Sequence, residues 1–565
     1  MLRRIQIANF KGIKEGDISD LGAVNVFIGR NNSGKSSILD ALCFSRCAFD
    51  YRILGELLPL LLLRRRAAER SVYVLKNFWH GYNTGNNIIF GLEFGNNERI
   101  HIETSYVSDT EFNIFLSDPS KKVPDLDPSR DYFFSQTRRL NDETAYSSHG
   151  SIDQFVKAYP RFGHYLSELT LIDDYLARKL ESLETNIFHR ILETRLDKRI
   201  VQGLNDIYGV GAEGLVYIPV SAATKAFRLA IAMPEQALHI DELGDGTKYM
   251  TNILSLCLLL ENSALLIEEI ESHQHFEAMS KFVLSLIKTA KEKNVQLFIT
   301  THSLEVIQIL SQLPKEYDIR FFHVEKPIDG KLVPRQLKAV DTQLLSDLGV
   351  DLRNLEAYRR FVVVEGDEDE TFLKNLFQKY NRNLEEIGYL VKAGSKDLVK
   401  QVSGALVSTE KEIIAIPDYD KDQREALING FAGVLQSRSI SFTQEDNLLR
   451  IQKPNSMVTV LPFGMPDDDT LLKVGITQHE MEDYCLKLIG IDENLRKWAG
   501  TTLEELATDA KKAGLKNLNK SSTLLRLLSA KKGILYEDTI SHIIQNASKE
   551  SVDKVTRDMI KSLIK

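Results

Sequence analysis

Three stretches of this sequence carry side chains whose types and spacing could do chemistry. The first, GRNNSGKS from Gly29 to Ser36, fits G-x-x-x-x-G-K-[ST] at every fixed position. Such a loop turns backbone N–H groups and a helix N-terminus toward an anionic triphosphate. Lys35 supplies a point charge to the outer phosphates and the Ser36 hydroxyl can ligate Mg²⁺, so Gly29, Asn32, Gly34, Lys35, Ser36 and Ser37 form the expected nucleotide-binding set. The second, SALLIEEIESHQHF (263–276), is an apolar strand ending in Glu268, placed to hold Mg²⁺, and Glu269, placed to polarise an attacking water. The third, IIAIPDYDKD (413–422), sets Asp418, Asp420 and Asp422 two apart after an apolar run. Like charges that close require compensation, from solvent or from a metal cation.

These residues need elements to position them. AVNVFI before the phosphate loop reads as a strand and the stretch after it as an amphipathic helix. VQLFITTHSLEVI (295–307) is another buried strand, delivering Thr301, His302 and Ser303 at its carboxyl end. In ELGDGTKYMTNIL (242–254), Gly244 and Gly246 open a helix, a second anion-binding helix start. Further on, RFVVVEGDEDETFLKNLFQKY gives the strand Phe361 to Val364, then Glu365-Gly366, then a helix with Asp369 and Glu370 in its first turn, where the helix dipole also favours acids. Strands alternating with helices predict a parallel sheet whose strand ends share one edge. Glu365, Asp418 and Asp420 would converge on that rim as hard oxygen ligands for Mg²⁺ or Mn²⁺, with Asp422 further out in a solvated turn.

The chain has 565 residues, too many for one core, with 43% apolar and 27% charged residues, as in soluble globular proteins. MLRRIQIANF alternates like a strand, and the longest apolar run, LLPLLLL at 57–63, falls short of the ~20 residues that span a bilayer. Cys43, Cys47, Cys257 and Cys485 show no paired spacing, so neither a zinc site nor a disulfide framework is suggested. The plain reading is a cytoplasmic protein with no membrane partner. Net charge is -8, but residues 511–565 hold twelve Lys/Arg against five Asp/Glu, or +7, leaving about -15 on the remainder. Such a basic segment suits a phosphate backbone and equally suits a solvated helical face.

In order, the phosphate loop, the 243–248 segment LGDGTK, the Glu268/Glu269 pair and His302 resemble the ABC-type ATPase heads of the chromosome-maintenance and recombination-repair families. The resemblance makes LGDGTK the signature loop, although Leu243 stands where a serine is common, and His302 the switch histidine. It also implies ATP in the interface of a dimer or tetramer of heads, and it sets the counterpart of the Q-loop within 72–110. The later half resembles the Toprim fold through Glu365-Gly366, Asp369 and Asp418-Tyr419-Asp420. An ABC head fused ahead of a Toprim module resembles the OLD (overcoming-lysogenisation-defect) nucleases, including the Gabija nuclease subunit. That family implies a later glutamate, matched by Glu482 or Glu480 in ITQHEMEDYCLKL, and a basic residue near the carboxyl end, for which Lys531 or Lys532 in SAKKGILY is the candidate.

The expected architecture is therefore α/β: an ABC-type P-loop ATPase head with a helical insertion, a Toprim-type parallel-sheet domain and a helical carboxy-terminal segment. Its expected divisions are an ATPase amino-terminal lobe (1–150), a helical insertion used for dimer contacts (151–210), an ATPase carboxy-terminal lobe (211–345), a Toprim domain (355–510) and a basic helical segment (511–565). The implied function is an ATP-regulated, Mg²⁺- or Mn²⁺-dependent DNA endonuclease of bacterial antiphage defence, with a helicase or reverse transcriptase as a possible accessory partner. The alternative is an ATP-driven DNA-binding clamp or sensor whose Toprim module is non-catalytic. A topoisomerase or primase would need a further domain, for which no length is free.

Overall fold

Alternation of wet and dry side chains builds the first sheet. In Ile88–Phe94 every second residue is buried, and Glu111–Ser117 repeats the pattern, while Leu2–Phe10 buries Leu2, Ile5, Ile7 and Phe10. Seven strands pair antiparallel in the order Ile13–Ile18, Leu2–Phe10, Ile88–Phe94, Arg99–Ser108, Glu111–Ser117, Phe134–Arg139 and Tyr146–His149. The rings of Phe10, Phe44, Phe78 and Phe90 meet with centroids 5.0 to 6.0 Å apart. Because Phe44 belongs to the helix Lys35–Arg46, this aromatic knot fixes the phosphate-loop helix against the sheet.

The computed structural model describes residues 1–46, 48, 61, 75–95, 98–108, 111–117, 134–139, 146–149, 160–179, 188–219, 227–326, 328–383, 388–420, 423–452 and 456–564. The chain divides into two units, Met1–Gln343 and Leu344–Lys565. Cys47, Asp422 and, apart from Leu61, the apolar run at 57–63 lie outside the described residues. Cys43, Cys257 and Cys485 are buried. Among the described residues no helix is long and apolar enough to cross a membrane.

The second sheet of the first unit is built from continuous apolar runs, as strands covered on both faces require. Val24–Ile28, Ala264–Ile267 and Gln296–Thr300 are buried at every position. The order is Val333–Leu337, Ile319–Glu325, Val24–Ile28, Gln296–Thr300, Ala264–Ile267, Thr170–Ile172, parallel except for the first pair. The carboxyl ends of five parallel strands therefore share one rim. The last strand corrects an expectation: region 151–210 is not helical throughout. Alongside the helices Pro160–Glu168, Asp174–Lys179 and Asp197–Tyr208 it supplies Thr170–Ile172, an edge of the nucleotide sheet.

The second unit is a mixed six-stranded sheet in the order Tyr389–Lys392, Arg360–Val364, Glu412–Ile416, Met457–Val460, Leu448–Ile451, Phe442–Glu445. Its first four strands are parallel, and Val364 pairs with both Lys392 and Ile416 in register. Leu486, Leu525 and Ile543 of the later helices share one apolar core with Val362, Phe372 and Ile414. The helices within 511–564 therefore contribute apolar side chains to this unit's core.

Candidate functional site

The first unit's rim holds a cleft of about 480 Å³ lined by Asn31 to Ser37, Asp173, Asp174, Glu268, Glu269, Ser272 and His302. The phosphate loop leaves its strand at Gly29, with φ +142°, where a Cβ would lie 2.5 Å from the Val324 carbonyl oxygen; only glycine fits. Asn32 also takes a left-handed backbone, at φ +64°. Lys35 is buried, and its Nζ donates to the Gly29 and Arg30 carbonyls at 2.7 and 2.9 Å, which holds the ammonium at the loop's mouth. The Ser33 Oγ is buried with no hydrogen-bond partner among the described residues. An orphaned hydroxyl in a loop of inward N–H groups fits a phosphate oxygen.

Across the cleft, Glu268 N–H donates to the Ile172 carbonyl at 3.0 Å, and Glu269 N–H to Thr300 Oγ1 at 3.0 Å. Glu269 is held at φ +51°, a costly backbone for a residue with a Cβ. Its carboxyl is pushed above the ordinary range, first by burial and then by Glu271, Asp173 and Asp174, against the pull of Lys35. His302 Nε2 stands 4.0 Å from Glu269 Oε1, and Glu271 takes the His302 backbone N–H at 2.6 Å.

Gly244 and Gly246 line no part of this cleft. Gly244, at φ +91°, caps the helix Asp245–Leu259, while a Cβ on Gly246 would lie 2.3 Å from the His273 carbonyl oxygen. The stretch 72–110, expected to hold the Q-loop counterpart, supplies no lining residue among those described; its strands belong to the antiparallel sheet. Asp173, Asp174 and Ser272 were not foreseen. The signal for the aspartates is present, since TLIDD repeats LLIEE in miniature, but three apolar residues are too few to read as a strand.

On the second unit's rim, Glu365 and Asp418 meet: Glu365 Oε1 accepts the Asp418 N–H at 2.9 Å. Asp369 is buried, and its Oδ2 accepts the Glu365 and Gly366 N–H groups at 3.1 and 2.9 Å, closing the strand-to-helix turn. Glu480 and Glu482 are buried as well. Ser522 N–H donates to Glu480 Oε1 at 2.6 Å, and the Tyr536 hydroxyl donates to Glu482. Asp418 is driven well above the carboxylate range, first by burial and then by Asp369, Glu365, Glu482 and Glu480, and its Oδ1 is buried without a partner among the described residues. Burial likewise raises Glu365 and takes Asp369 to about 7 and Glu482 to about 8.

Two expectations change here. Asp420 does not continue an extended chain beside Asp418: the strand ends at Ile416, Asp420 lies at φ +51°, and its carboxylate is held by Lys396 at 2.9 Å and approached by Lys520 at 3.7 Å. The basic residue at the cluster is Lys520, 3.5 Å from Glu480, together with Lys396. Lys531 pairs with Asp509 instead, and Lys532 lies over the Trp498 ring at 5.4 Å, because both sit in the last turn of the helix whose first turn faces the acids. As the side chains stand, no three His, Cys, Asp or Glu among the described residues close into a ligand set.

Residues 24–308 match the family model described as "AAA domain, putative AbiEii toxin, Type IV TA system". The chain belongs to this AAA-domain family. The AAA-domain protein is 23% identical over 352 residues to the "ATP/GTP phosphatase" of Helicobacter pylori, covering 58% of this chain and 91% of that one. It is 31% identical over 113 residues to the uncharacterized protein MJECL11 of Methanocaldococcus jannaschii, covering 20% of this chain and 99% of that one. Among solved structures it is similar to an SMC head bound to the C-winged helix domain of ScpA (TM-score 0.34, 12% identity, 60% of this chain and 98% of that one). It is also similar to the SMC head domain from Thermotoga maritima (TM-score 0.30, 13% identity, 59% and 98%).

The acidic rim of this AAA-domain protein makes its stability depend on pH. Folded Asp369 and Glu482 hold protons up to about 7 and about 8, against ordinary values of 3.8 and 4.5. The native state then binds more protons than the unfolded chain between about 4 and about 8, so stability falls as pH rises through that window. In EDTA the melting temperature should be lower at about pH 8.5 than at about pH 5.5, and saturating Mn²⁺ should raise it more at the higher pH. Equal Mn²⁺ effects at both values would count against a cation among these acids.

Proposed function

We propose that this protein binds and hydrolyses ATP in its first unit and uses its second as a Toprim-type, divalent-metal-dependent DNA endonuclease of the OLD kind, in antiphage defence. The observation that carries the nuclease reading is half-buried Asp418, whose buried Oδ1 has no partner among the described residues and which lies among four other carboxylates drawn from separate segments. Natural proteins do not leave such charge uncompensated without cause, and an all-oxygen donor set fits Mg²⁺ or Mn²⁺. Glu365, Asp418, Glu480 and Glu482 would hold the cation, whose Lewis-acid charge offsets the negative charge that builds on a phosphodiester.

The chain's own residues prepare that site. Asp369 fixes the turn carrying Glu365, and Glu365 in turn orients Asp418 through its backbone N–H. Lys396 and Lys520 bring positive charge to the rim's mouth, where a non-bridging phosphate oxygen can use it. Exposed Lys511, Lys512 and Lys516 suit the sugar-phosphate backbone of DNA, which they would position without reading sequence. ATP-dependent association of first units into a dimer or tetramer would regulate access, with a helicase or reverse transcriptase as a candidate partner.

Incubating the full chain with supercoiled plasmid and Mn²⁺ should give nicked circles, and EDTA should prevent them. No nicking under any combination of Mg²⁺, Mn²⁺ and ATP would remove the reading. Tyr536→Phe provides a finer check. Its hydroxyl lowers the carboxyl of Glu482, so losing it raises that group further and the rise of nicking with pH should move to higher pH. An unshifted profile would place Glu482 outside the chemistry. One observation favours a second reading, an ATP-driven DNA clamp with a non-catalytic second unit: lysines already occupy Asp420. Nuclease-free DNA retention that depends on ATP would select it.

A further inference from the structure

The phosphate-binding cleft and the glycine loop at 244–246 are joined by a short run of contacts that neither motif foretells. The edge strand Thr170–Ile172 runs beside Ala264–Ile267 in parallel register, so Asp173 and Asp174 emerge next to Glu268 and Glu269 on one wall of the cleft. Asp173 turns back on its own chain, its Oδ1 accepting the Leu176 N–H at 2.6 Å. Asp174 lines the cleft and also meets the histidine beyond it: its Oδ1 lies 2.7 Å from His273 Nε2. His273 is held at φ +62°, which aims its carbonyl at Gly246 so closely that a Cβ there would lie 2.3 Å away. The next residue doubles the connection, since Gln274 Nε2 donates to the Gly246 carbonyl at 2.6 Å and Gln274 Oε1 accepts the Tyr208 hydroxyl at 2.5 Å.

We propose that the Asp174–His273 pair is a positioning device that transmits nucleotide occupancy of the cleft to the 244–248 loop of the same chain. Asp174 faces the position of the bound charges, where Lys35 is opposed by the carboxylates of Asp173, Glu268 and Glu269. Anionic phosphate and its counter-cation change the field at Asp174, and the hydrogen-bonded histidine passes the displacement to Gly246, against which its own carbonyl is packed too closely for a Cβ. His273 is not itself a lining residue. It acts through Asp174 on one side and Gly246 on the other, setting the N-terminal turn of the helix Asp245–Leu259 when the cleft is filled.

The test uses the full chain with Mg²⁺ and a non-hydrolysable ATP analogue, reading amide hydrogen exchange in peptides covering 242–250. In the wild type, nucleotide should slow exchange there by about five-fold, the low end of coupling between two sites. His273→Asn keeps a residue tolerant of the left-handed backbone but cannot reach Asp174. It should bind the analogue as tightly as the wild type and lose that protection. Asp174→Glu, which retains the carboxylate, should restore most of it, while Asp174→Asn should lose it. Protection in His273→Asn equal to the wild type would overturn the proposal, and so would loss of analogue binding, which would make His273 a binding residue. Should His273→Asn fail to fold, undiminished protection in Asp174→Asn overturns it equally.

Discussion

Asp418→Asn is expected to abolish plasmid nicking, by more than the roughly 100-fold that loss of an outer-shell partner costs a metal site, and at the same time to raise the melting temperature of the metal-free protein. The two effects share one cause. Asp418 is forced up by burial and by four neighbouring carboxylates. A neutral amide of the same shape relieves that repulsion, which is worth about 0.5–2 kcal/mol, the usual return of a stabilising substitution. A variant that lost nicking and stability together would be explained by misfolding, and one that kept nicking would place the chemistry elsewhere. Loss of activity with a gain in stability is the combination that identifies a site strained for function.

Lys35→Ala is expected to reduce ATP hydrolysis by at least about 100-fold, the typical loss when one preorganised donor to developing phosphate charge is removed. Lys35 is buried and anchored by the Gly29 and Arg30 carbonyls, so no surface lysine can stand in for it. Removing the ammonium also leaves Glu269 with less cationic support, and its carboxyl should rise further. Radiometric phosphate release measures the first effect. Nicking in the absence of ATP should persist in this variant if the two units carry separate chemistries, and its disappearance would tie them together.

Much of this was legible because buried parallel strands announce themselves. FVVV, EIIAI, ALLI and LFIT are continuous apolar runs, and in each case the acids or hydroxyls that follow fall on the rim where the fold delivers them. Glu365 and Asp418 could be paired in advance because strand alternation leaves few alternatives to a shared edge. The lysines could not be chosen that way. Lys520, Lys531 and Lys532 stand near each other in sequence, and what selects Lys520 is tertiary: the Asn519 carbonyl accepts the Thr477 and Gln478 N–H groups, each at 3.0 Å, laying residues 519–522 along the acids. Asp420 failed for a local reason, a left-handed residue where extended chain was expected. The helix start at Gly244 was readable, but the face Gly246 presents depends on His273, almost thirty residues away.

Anomalous diffraction from crystals of the full chain soaked in Mn²⁺ checks whether the proposed cation sits among carboxylates from distant segments of the second unit. A peak bounded by Glu365, Asp418, Glu480 and Glu482 is expected. Manganese bound at the phosphate loop alone, with those four side chains unmoved and no density between them, would contradict it.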